Sequence, residues 1–134
     1  MMKLFYIFVI CTFFGSQSPK SYQKTYFDNG NIKSEGWIQN NLKTDYWFYY
    51  HENGRKKEEG HYKNDKKTKW WVFYDVNEVV VKKSKFENDK MDGLTIIYYK
   101  GNIIRAEKFL KGEKVKQWDS LSEFKKDNSI SYNY

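Results

Sequence analysis

Residues 46–65 read YWFYYHENGRKKEEGHYKND, and this stretch decides the fold. Its aromatic run leads into Asn53-Gly54, the dipeptide most typical of a two-residue β-hairpin turn, because a type I′ turn needs positive φ at both central positions. Such a turn would pair Glu52 with Arg55 across the two strands. Asn64-Asp65 then predicts a second turn at the end of the returning strand. The stretch therefore predicts one antiparallel hairpin and the connection to the next.

The same pattern recurs every 24 residues along most of the chain. A fixed spacing of this kind marks a repeat in which each unit is one supersecondary element. The fourth unit is one residue short after its turn, and with that allowance Trp118 joins the column of Trp47 and Trp71. The other main columns are Tyr26, Tyr50, Tyr74 and Tyr98; Phe48, Val72 and Ile96; and the turn pairs Asn29-Gly30, Asn53-Gly54, Asn77-Glu78 and Gly101-Asn102.

Composition favours strands over helices. Aromatic residues make up 20% of the chain, with 12 Tyr, 10 Phe and 5 Trp, and such side chains suit a pleated, half-buried surface. One hairpin alone buries too little apolar surface to fold, whereas stacked repeats share a continuous core. We therefore predict an all-β protein, an antiparallel meander of about four 24-residue β-hairpin repeats that forms one curled sheet over residues 19–118.

Alternation along the strands divides the side chains between two faces of the predicted sheet. We predict that the face carrying Trp47 and Trp71 forms the core, with Gly30 and Gly54 as further structural positions of the repeat. The predicted core face also holds Tyr49, Phe73, Ile97, Ile38, Tyr62, Phe86, Ile32, Val80 and Ile104.

The opposite face carries a second apolar ladder, which an ordinary half-solvated sheet lacks. Either curling of the sheet buries this ladder or a partner covers it, and tyrosine suits both cases because it combines an apolar ring with a polar hydroxyl. The ladder is the candidate contact surface for a partner, and its burial by curling of the sheet is the open alternative. Its members are Tyr26, Tyr50, Tyr74, Tyr98 and Phe48.

Both ends of the chain depart from the repeat. Ser120 and Glu123 have the spacing of a capping box, which predicts a short helix and then a frayed tail within residues 119–134. At the other end a short basic start precedes the 11 mostly apolar residues 4–14, an order typical of a secretory signal peptide. Eleven helical residues span only about 16 Å and cannot cross a hydrocarbon core of about 30 Å.

We predict from this that residues 1–18 are a signal peptide and that the mature protein is secreted, periplasmic or part of the cell envelope, without a transmembrane span. If residues 1–18 are instead retained as a strand, the protein is cytoplasmic. Loss of the segment would also remove Cys11, the single cysteine of the chain, and with it all thiol chemistry.

No motif of the sequence indicates catalysis. His51 and His61 lack the spacing of a zinc site, and Asp65 and Asp89 lie in predicted turns rather than in a calcium loop. There is neither a glycine-rich phosphate loop nor a serine-nucleophile motif. The net charge of +7 arises from lysines that alternate with acidic residues, so we do not expect nucleic acid as a partner. We predict a non-enzymatic protein without metal or cofactor.

The second unit resembles a variant MORN repeat (membrane occupation and recognition nexus), of the bacterial type that also defines the YwqK-type antitoxin family. The resemblance extends from about Tyr22 to Trp118, and it implies a β-hairpin meander that acts by binding, with a hint of toxin neutralisation. The third unit departs from the pattern, with Glu78 and Ser84 in place of glycines. The matching elements are Tyr49-Tyr50, Asn53-Gly54, Glu59-Gly60-x-Tyr62 and Lys63-Asn64-Asp65-Lys66.

Two functional hypotheses follow. The first is an exported, non-catalytic MORN-like repeat protein that acts as a protein-binding or scaffold module, with protein or peptide as the expected partner and glycan left open. The second is a cytoplasmic antitoxin-like protein of the YwqK type that neutralises a partner toxin.

Overall fold

The computed structural model describes residues 18–129; almost all of the predicted signal peptide and the last five residues lie outside that range. Within it the chain forms nine strands and one helix. The strands pair in chain order in one antiparallel sheet, which confirms the predicted all-β hairpin meander. The elements are β1 (Ser21–Tyr26), β2 (Ile32–Gln39), β3 (Leu42–Tyr50), β4 (Lys56–Lys63), β5 (Lys66–Tyr74), β6 (Val80–Glu87), β7 (Lys90–Tyr99), β8 (Asn102–Leu110), β9 (Glu113–Trp118) and α1 (Leu121–Asp127).

The sheet is open, since β1 and β9 form its two edges in the described part of the chain. Strands β2, β4 and β6 begin 24 residues apart, as do β3, β5 and β7. The missing residue of the fourth unit lies in its turn, because Tyr98 pairs with Ile103 where Tyr74 pairs with Val80. Ile103 therefore takes the place in the repeat that we predicted for Ile104, and that detail of the prediction was wrong.

The first three hairpin turns at one end of the sheet differ from the predicted type. The His51 N–H donates to the carbonyl oxygen of Arg55 over 2.8 Å, and the Gly54 N–H donates to the carbonyl oxygen of His51 over 2.9 Å. Gly54 has a φ of 83°, whereas Asn53 keeps negative φ. The loop is thus a type I turn followed by a left-handed residue. The predicted pairing of Glu52 with Arg55 was wrong, because His51 takes that place.

The turns at the opposite end of the sheet are two-residue type I′ turns, and the fourth turn at the first end, Lys100-Gly101, has the same form. Asn64 and Asp65 both have positive φ, of 51° and 64°, and Asn and Asp tolerate this conformation better than most residues. The Asp65 carboxylate also accepts a hydrogen bond of 2.6 Å from the Lys43 backbone N–H. The same bond joins Asp89 to Lys67, one repeat later. Successive turns are therefore tied to one another.

The core is built by tryptophan rings that lie against glycines. Trp71 is fully buried and pairs with Gly60 on β4, and a Cβ atom on Gly60 would lie only 2.3 Å from the indole ring. The indole N–H donates to the His61 carbonyl oxygen over 3.1 Å. Trp47 repeats this arrangement on Gly36 of β2. The glycine is needed because the ring occupies the space of a side chain.

Other aromatic rings of the predicted core face cluster around these tryptophans, as expected. Lysine side chains then close the cluster towards solvent, with Lys43 Nζ 5.0 Å from the centre of the Trp47 ring and Lys67 Nζ 3.9 Å from the centre of the Trp71 ring. A lysine can cover apolar rings with its stem while its ammonium group stays hydrated. The clustered rings are Tyr49, Tyr62, Phe73 and Phe86.

Trp118 lies on the other face of the sheet. It pairs with Ala106. The break in register between β8 and β9 shifts the strand pairing by one residue, whereas the equivalent breaks in the earlier units shift it by two. The Trp118 ring packs on Phe124 of α1 at 5.1 Å, and its indole N–H donates to the Asp127 carboxylate over 2.7 Å. The surroundings of Trp118 therefore differ from those of Trp47 and Trp71, although the sequence aligns the three.

Helix α1 is the predicted short C-terminal helix. The Ser120 side chain accepts a hydrogen bond of 3.1 Å from the Glu123 N–H, as the capping-box spacing predicts. The Glu123 carboxylate in turn accepts a bond from the Asp119 N–H over 3.0 Å. Leu121 and Phe124 point to the last hairpin, where they face Leu94, Ile96 and Ala106.

A double-mutant cycle tests the tryptophan–glycine contact, using the residue pair that replaces it in the third unit, Ser84 with Thr95. We expect Gly60→Ser to cost about 1–3 kcal/mol in the native background, because the added atoms collide with Trp71. In a Trp71→Thr background the same change should cost far less, and urea unfolding followed by circular dichroism measures both. Equal costs in the two backgrounds would contradict the contact.

Candidate interaction surface

The face opposite the Trp47–Trp71 core is the candidate interaction surface. We call it the tyrosine face, because the predicted tyrosine ladder lies on it. Pairing between strands places Phe48 beside Glu59, Val72 beside Lys83 and Ile96 beside Ala106 along its middle. The residues that define the tyrosine face are Tyr22, Tyr26, Trp37, Tyr46, Phe48, Tyr50, His61, Trp70, Val72, Tyr74, Ile96 and Tyr98.

The members of the predicted tyrosine ladder differ in their surroundings. Tyr26 is 58% exposed, whereas Tyr50, Tyr74 and Tyr98 are half-buried. The Tyr50 hydroxyl donates to Glu35 over 2.7 Å, and the Tyr74 hydroxyl donates to Glu59 over 2.5 Å. Two of the ladder tyrosines therefore anchor carboxylates within the fold rather than offering free hydroxyl groups to a partner.

The last ladder member has no such carboxylate. Lys83 takes the position in the repeat that Glu35 and Glu59 hold in the first two units, and its Nζ atom lies 5.7 Å from the centre of the Tyr98 ring. The predicted ladder residue Phe48 is half-buried beside Tyr46, with 5.0 Å between ring centres. The ladder tyrosines thus face glutamates in the first two units and a lysine in the third.

Hydrogen bonding sets the charge state of the first tyrosine–glutamate pair. The bond from Tyr50 is the main reason why the pKa of Glu35 lies below its usual value, and Lys24, with Nζ 3.1 Å from the carboxylate, lowers that pKa further. The pKa of Tyr50 is raised, chiefly because burial disfavours the phenolate and then because of the bond to Glu35. Both effects keep a neutral hydroxyl bound to a charged carboxylate.

A row of aromatic side chains, three of them exposed, crosses the same face over β1 to β5. Tyr22 and Trp37 are 44% and 39% exposed and meet edge to face, with 5.1 Å between ring centres. Tyr46 meets His61 in the same way at 4.8 Å, and Trp70 is 43% exposed. We call these five residues the aromatic row.

Our sequence interpretation missed the aromatic row, although a signal for it exists. Tyr22, Tyr46, Trp70 and Leu94 form one more column with the 24-residue period. Only Leu94, the last of them, lies beneath α1. The sequence column could not show which of its members the C-terminal helix covers.

Helix α1 covers only the part of the tyrosine face formed by β7 to β9. It contacts β8 and β9, and its Phe124 ring approaches Ala106 and Trp118. Over β1 to β5 no other element of residues 18–129 lies on the face. The aromatic row is therefore not covered by another described element, and Tyr22, Trp37 and Trp70 are exposed while Tyr46 and His61 are half-buried.

The surface carries no catalytic arrangement in the described residues. The pKa of His61 is lowered, chiefly by burial and then by the charge of Lys69. No group of three or more candidate ligands for a metal ion occurs within residues 18–129. The described helix is also too short to cross a membrane.

Removal of one hydroxyl tests the tyrosine–glutamate pair. We expect Tyr50→Phe to raise the pKa of Glu35, and to do so more than Lys24→Met, because the Lys24 side chain is 43% exposed and screened by water. A carboxylate with a lowered pKa stabilises the fold above its unfolded pKa, and this stability is lost as the pH falls. Tyr50→Phe should therefore weaken the loss of stability in acid.

Carbon-13 NMR of the side-chain carboxyl groups follows the titration of Glu35, and urea unfolding between pH 3 and 7 follows the stability. Tyr26→Phe, which removes an exposed hydroxyl, serves as the control and should leave both unchanged. An unaltered Glu35 titration in Tyr50→Phe would show that the bond has no part in holding the charge.

Comparison of the chain with protein-family models and with curated proteins finds no match. The role of the chain must therefore be inferred from its own residues.

Proposed function

We propose that this chain is an exported, non-catalytic MORN-like repeat protein that binds another protein or a peptide through its tyrosine face. The observation that carries the proposal is the aromatic row, whose Tyr22, Trp37 and Trp70 lie exposed on a sheet face that α1 covers only in part. Tryptophan and tyrosine are the residues that most often dominate binding energy at protein interfaces. An exposed apolar patch on a soluble domain is typical of an interaction site.

The rigidity of the sheet supports the same proposal. Each aromatic side chain of the row projects from a strand paired on both sides or from β1, and the tryptophan–glycine contacts on the opposite face fix those strands. A partner would therefore meet a preorganised surface and lose little conformational entropy in ordering it. The repeated hairpins act as the scaffold, and the aromatic side chains of the row make the contact with the partner.

The MORN-like assignment and export belong to the proposal as well. The 24-residue hairpin period and the Asn-Gly turns of the first two units support the former. The signal-like order of residues 1–18 supports the latter. The toxin-neutralising alternative keeps the same surface and changes only the compartment and the partner.

Substitution within the aromatic row tests the binding function. We expect Trp37→Ser combined with Trp70→Ser to weaken capture of the native partner by at least about 100-fold, because two hot-spot tryptophans each contribute about 2 kcal/mol or more. The partner is first isolated on the wild-type protein and identified, and calorimetry then measures its affinity for each variant. Val115→Ser on β9, an exposed apolar residue outside the row, is the matched control. Equal affinities for all three proteins would refute the aromatic row as the contact surface.

The N-terminus of the protein purified from its native host distinguishes export from the alternative. We expect a mature N-terminus between Ser16 and Pro19, because the small polar residues there follow the apolar segment. Mass spectrometry of the intact protein gives the answer directly. An intact Met1, together with a partner that is toxic when produced alone, would instead support the cytoplasmic antitoxin-like function.

A further inference from the structure

The third unit departs from the repeat at one turn and at the strand that follows it. Residues 31–33 and 55–57 read NIK and RKK, whereas the equivalent residues 79–81 read VVV. Val76 likewise replaces the acidic Glu52 of the preceding turn. A polar segment has thus become fully apolar in this unit, and the equivalent residues 102–104 of the fourth unit read NII.

The hydrogen bond that joins the first turn to the second, and the second to the third, is not repeated between the third and fourth turns of the described chain. The Asn29 side chain donates to the Glu52 carbonyl oxygen over 3.0 Å, and Asn53 repeats the bond to Val76 over 2.9 Å. No equivalent bond from Asn77 to the fourth turn occurs in the described residues, because that turn is the shorter two-residue Lys100-Gly101. The missing residue leaves a gap between the third and fourth turns.

This gap is an apolar groove. It has a volume of about 740 Å³ and lies between the Val79–Val81 segment on one side and Tyr98 and Tyr99 on the other, with Asp75 and Lys100 at its ends. Val79 is 41% exposed and Tyr99 is 61% exposed. We call it the valine groove.

Two further apolar side chains are exposed on the third turn and on β8. Val76 on the third turn is 58% exposed, and Ile104 on β8 is 46% exposed. The valine groove itself is open to solvent rather than enclosed. Several side chains of an extended segment could lie along it, which a single enclosed pocket would not allow.

The valine groove is lined by one acidic residue, Asp75, and one lysine, Lys100, and a second lysine lies beside it. Lys100 lies at its end, and Lys83 lies over Tyr98, where the other units carry glutamate. Neither lysine has an ion-pair partner in the described part of the chain. The carboxylate of Asp75 accepts hydrogen bonds from the backbone N–H groups of Asn77 and Val79 and is engaged in the turn.

We propose that the valine groove binds an extended acidic peptide segment that places a large apolar side chain between Val80 and Tyr99. Its acidic residues pair with Lys83 and Lys100. The groove is too open to enclose a small molecule, since small-molecule sites bury most of their ligand, but it suits one anchored side chain with its neighbours outside. The inference rests on the proposed protein-binding function and adds a partner chemistry and a second contact site.

The repeat itself supplies the test variant. Val79→Arg, Val80→Lys and Val81→Lys together restore the sequence of the second unit at these positions, so the fold should tolerate them, and urea unfolding checks this. A random twelve-residue peptide library displayed on phage is panned against the wild-type protein. We expect enriched peptides with one large aliphatic or aromatic residue flanked by Asp or Glu.

Affinity and position of binding are then measured with the enriched peptides. Amide NMR shifts should change at residues 79–81 and 98–101, and the triple variant should bind at least about tenfold more weakly, since one buried apolar side chain is worth about 1.5–3 kcal/mol. Lys83→Glu, which copies Glu59, should also weaken binding, and more strongly at low salt.

The other outcomes separate this inference from the proposed function. Enriched peptides that map to the aromatic row and are lost in Trp37→Ser with Trp70→Ser would overturn the valine groove while supporting the proposed function. Enriched peptides without acidic residues, no enrichment at all, or binding that the triple variant leaves unchanged would overturn the groove proposal. Loss of groove binding in the triple variant with an intact fold supports it.

Discussion

The contact between a tryptophan ring and a glycine on the neighbouring strand is the constraint on which this structure depends. A single sheet has no second layer to bury its core face, so the buried surface must come from the sheet itself. Trp71 achieves this by lying on Gly60, donating to the backbone beside it and receiving Lys67 above its ring. The contact fixes the register of β4 against β5, and thereby decides which side chains face the opposite side.

Where a core residue departs from the repeat, the residue that it contacts changes with it. At the surface, departures occur without such a matching change. In the third unit the glycine and the tryptophan change together, and Ser84 and Thr95 form a buried hydrogen-bonded pair in their place. At the nearby turn, by contrast, valines replace charged residues and remain exposed. Local rules that are broken without a compensating contact are where functional sites are expected.

The sequence predicted the meander, the period, the core tryptophans and the capped helix, because each of these follows from spacing. The prediction failed where the same residues are compatible with two backbone conformations. Asn-Gly fits a type I′ turn, but Gly54 alone needs positive φ in the turn that forms. The face of Trp118 could not be predicted either, because it depends on an irregularity that skips one residue rather than two. Exposure of the aromatic row depends on how far α1 reaches, and spacing does not reveal that.

The shortened fourth turn carries a consequence for how such a protein acquires a concave site. The fourth turn lost one residue, and neither the alternation of the faces nor the pairing of the strands around it was disturbed. The valine groove arises because the fourth turn is one residue shorter, rather than because of the side chains that line it. In an array of nearly equal hairpins, a single deletion can therefore give one junction a shape that its neighbours lack, and evolution need then only adjust the lining.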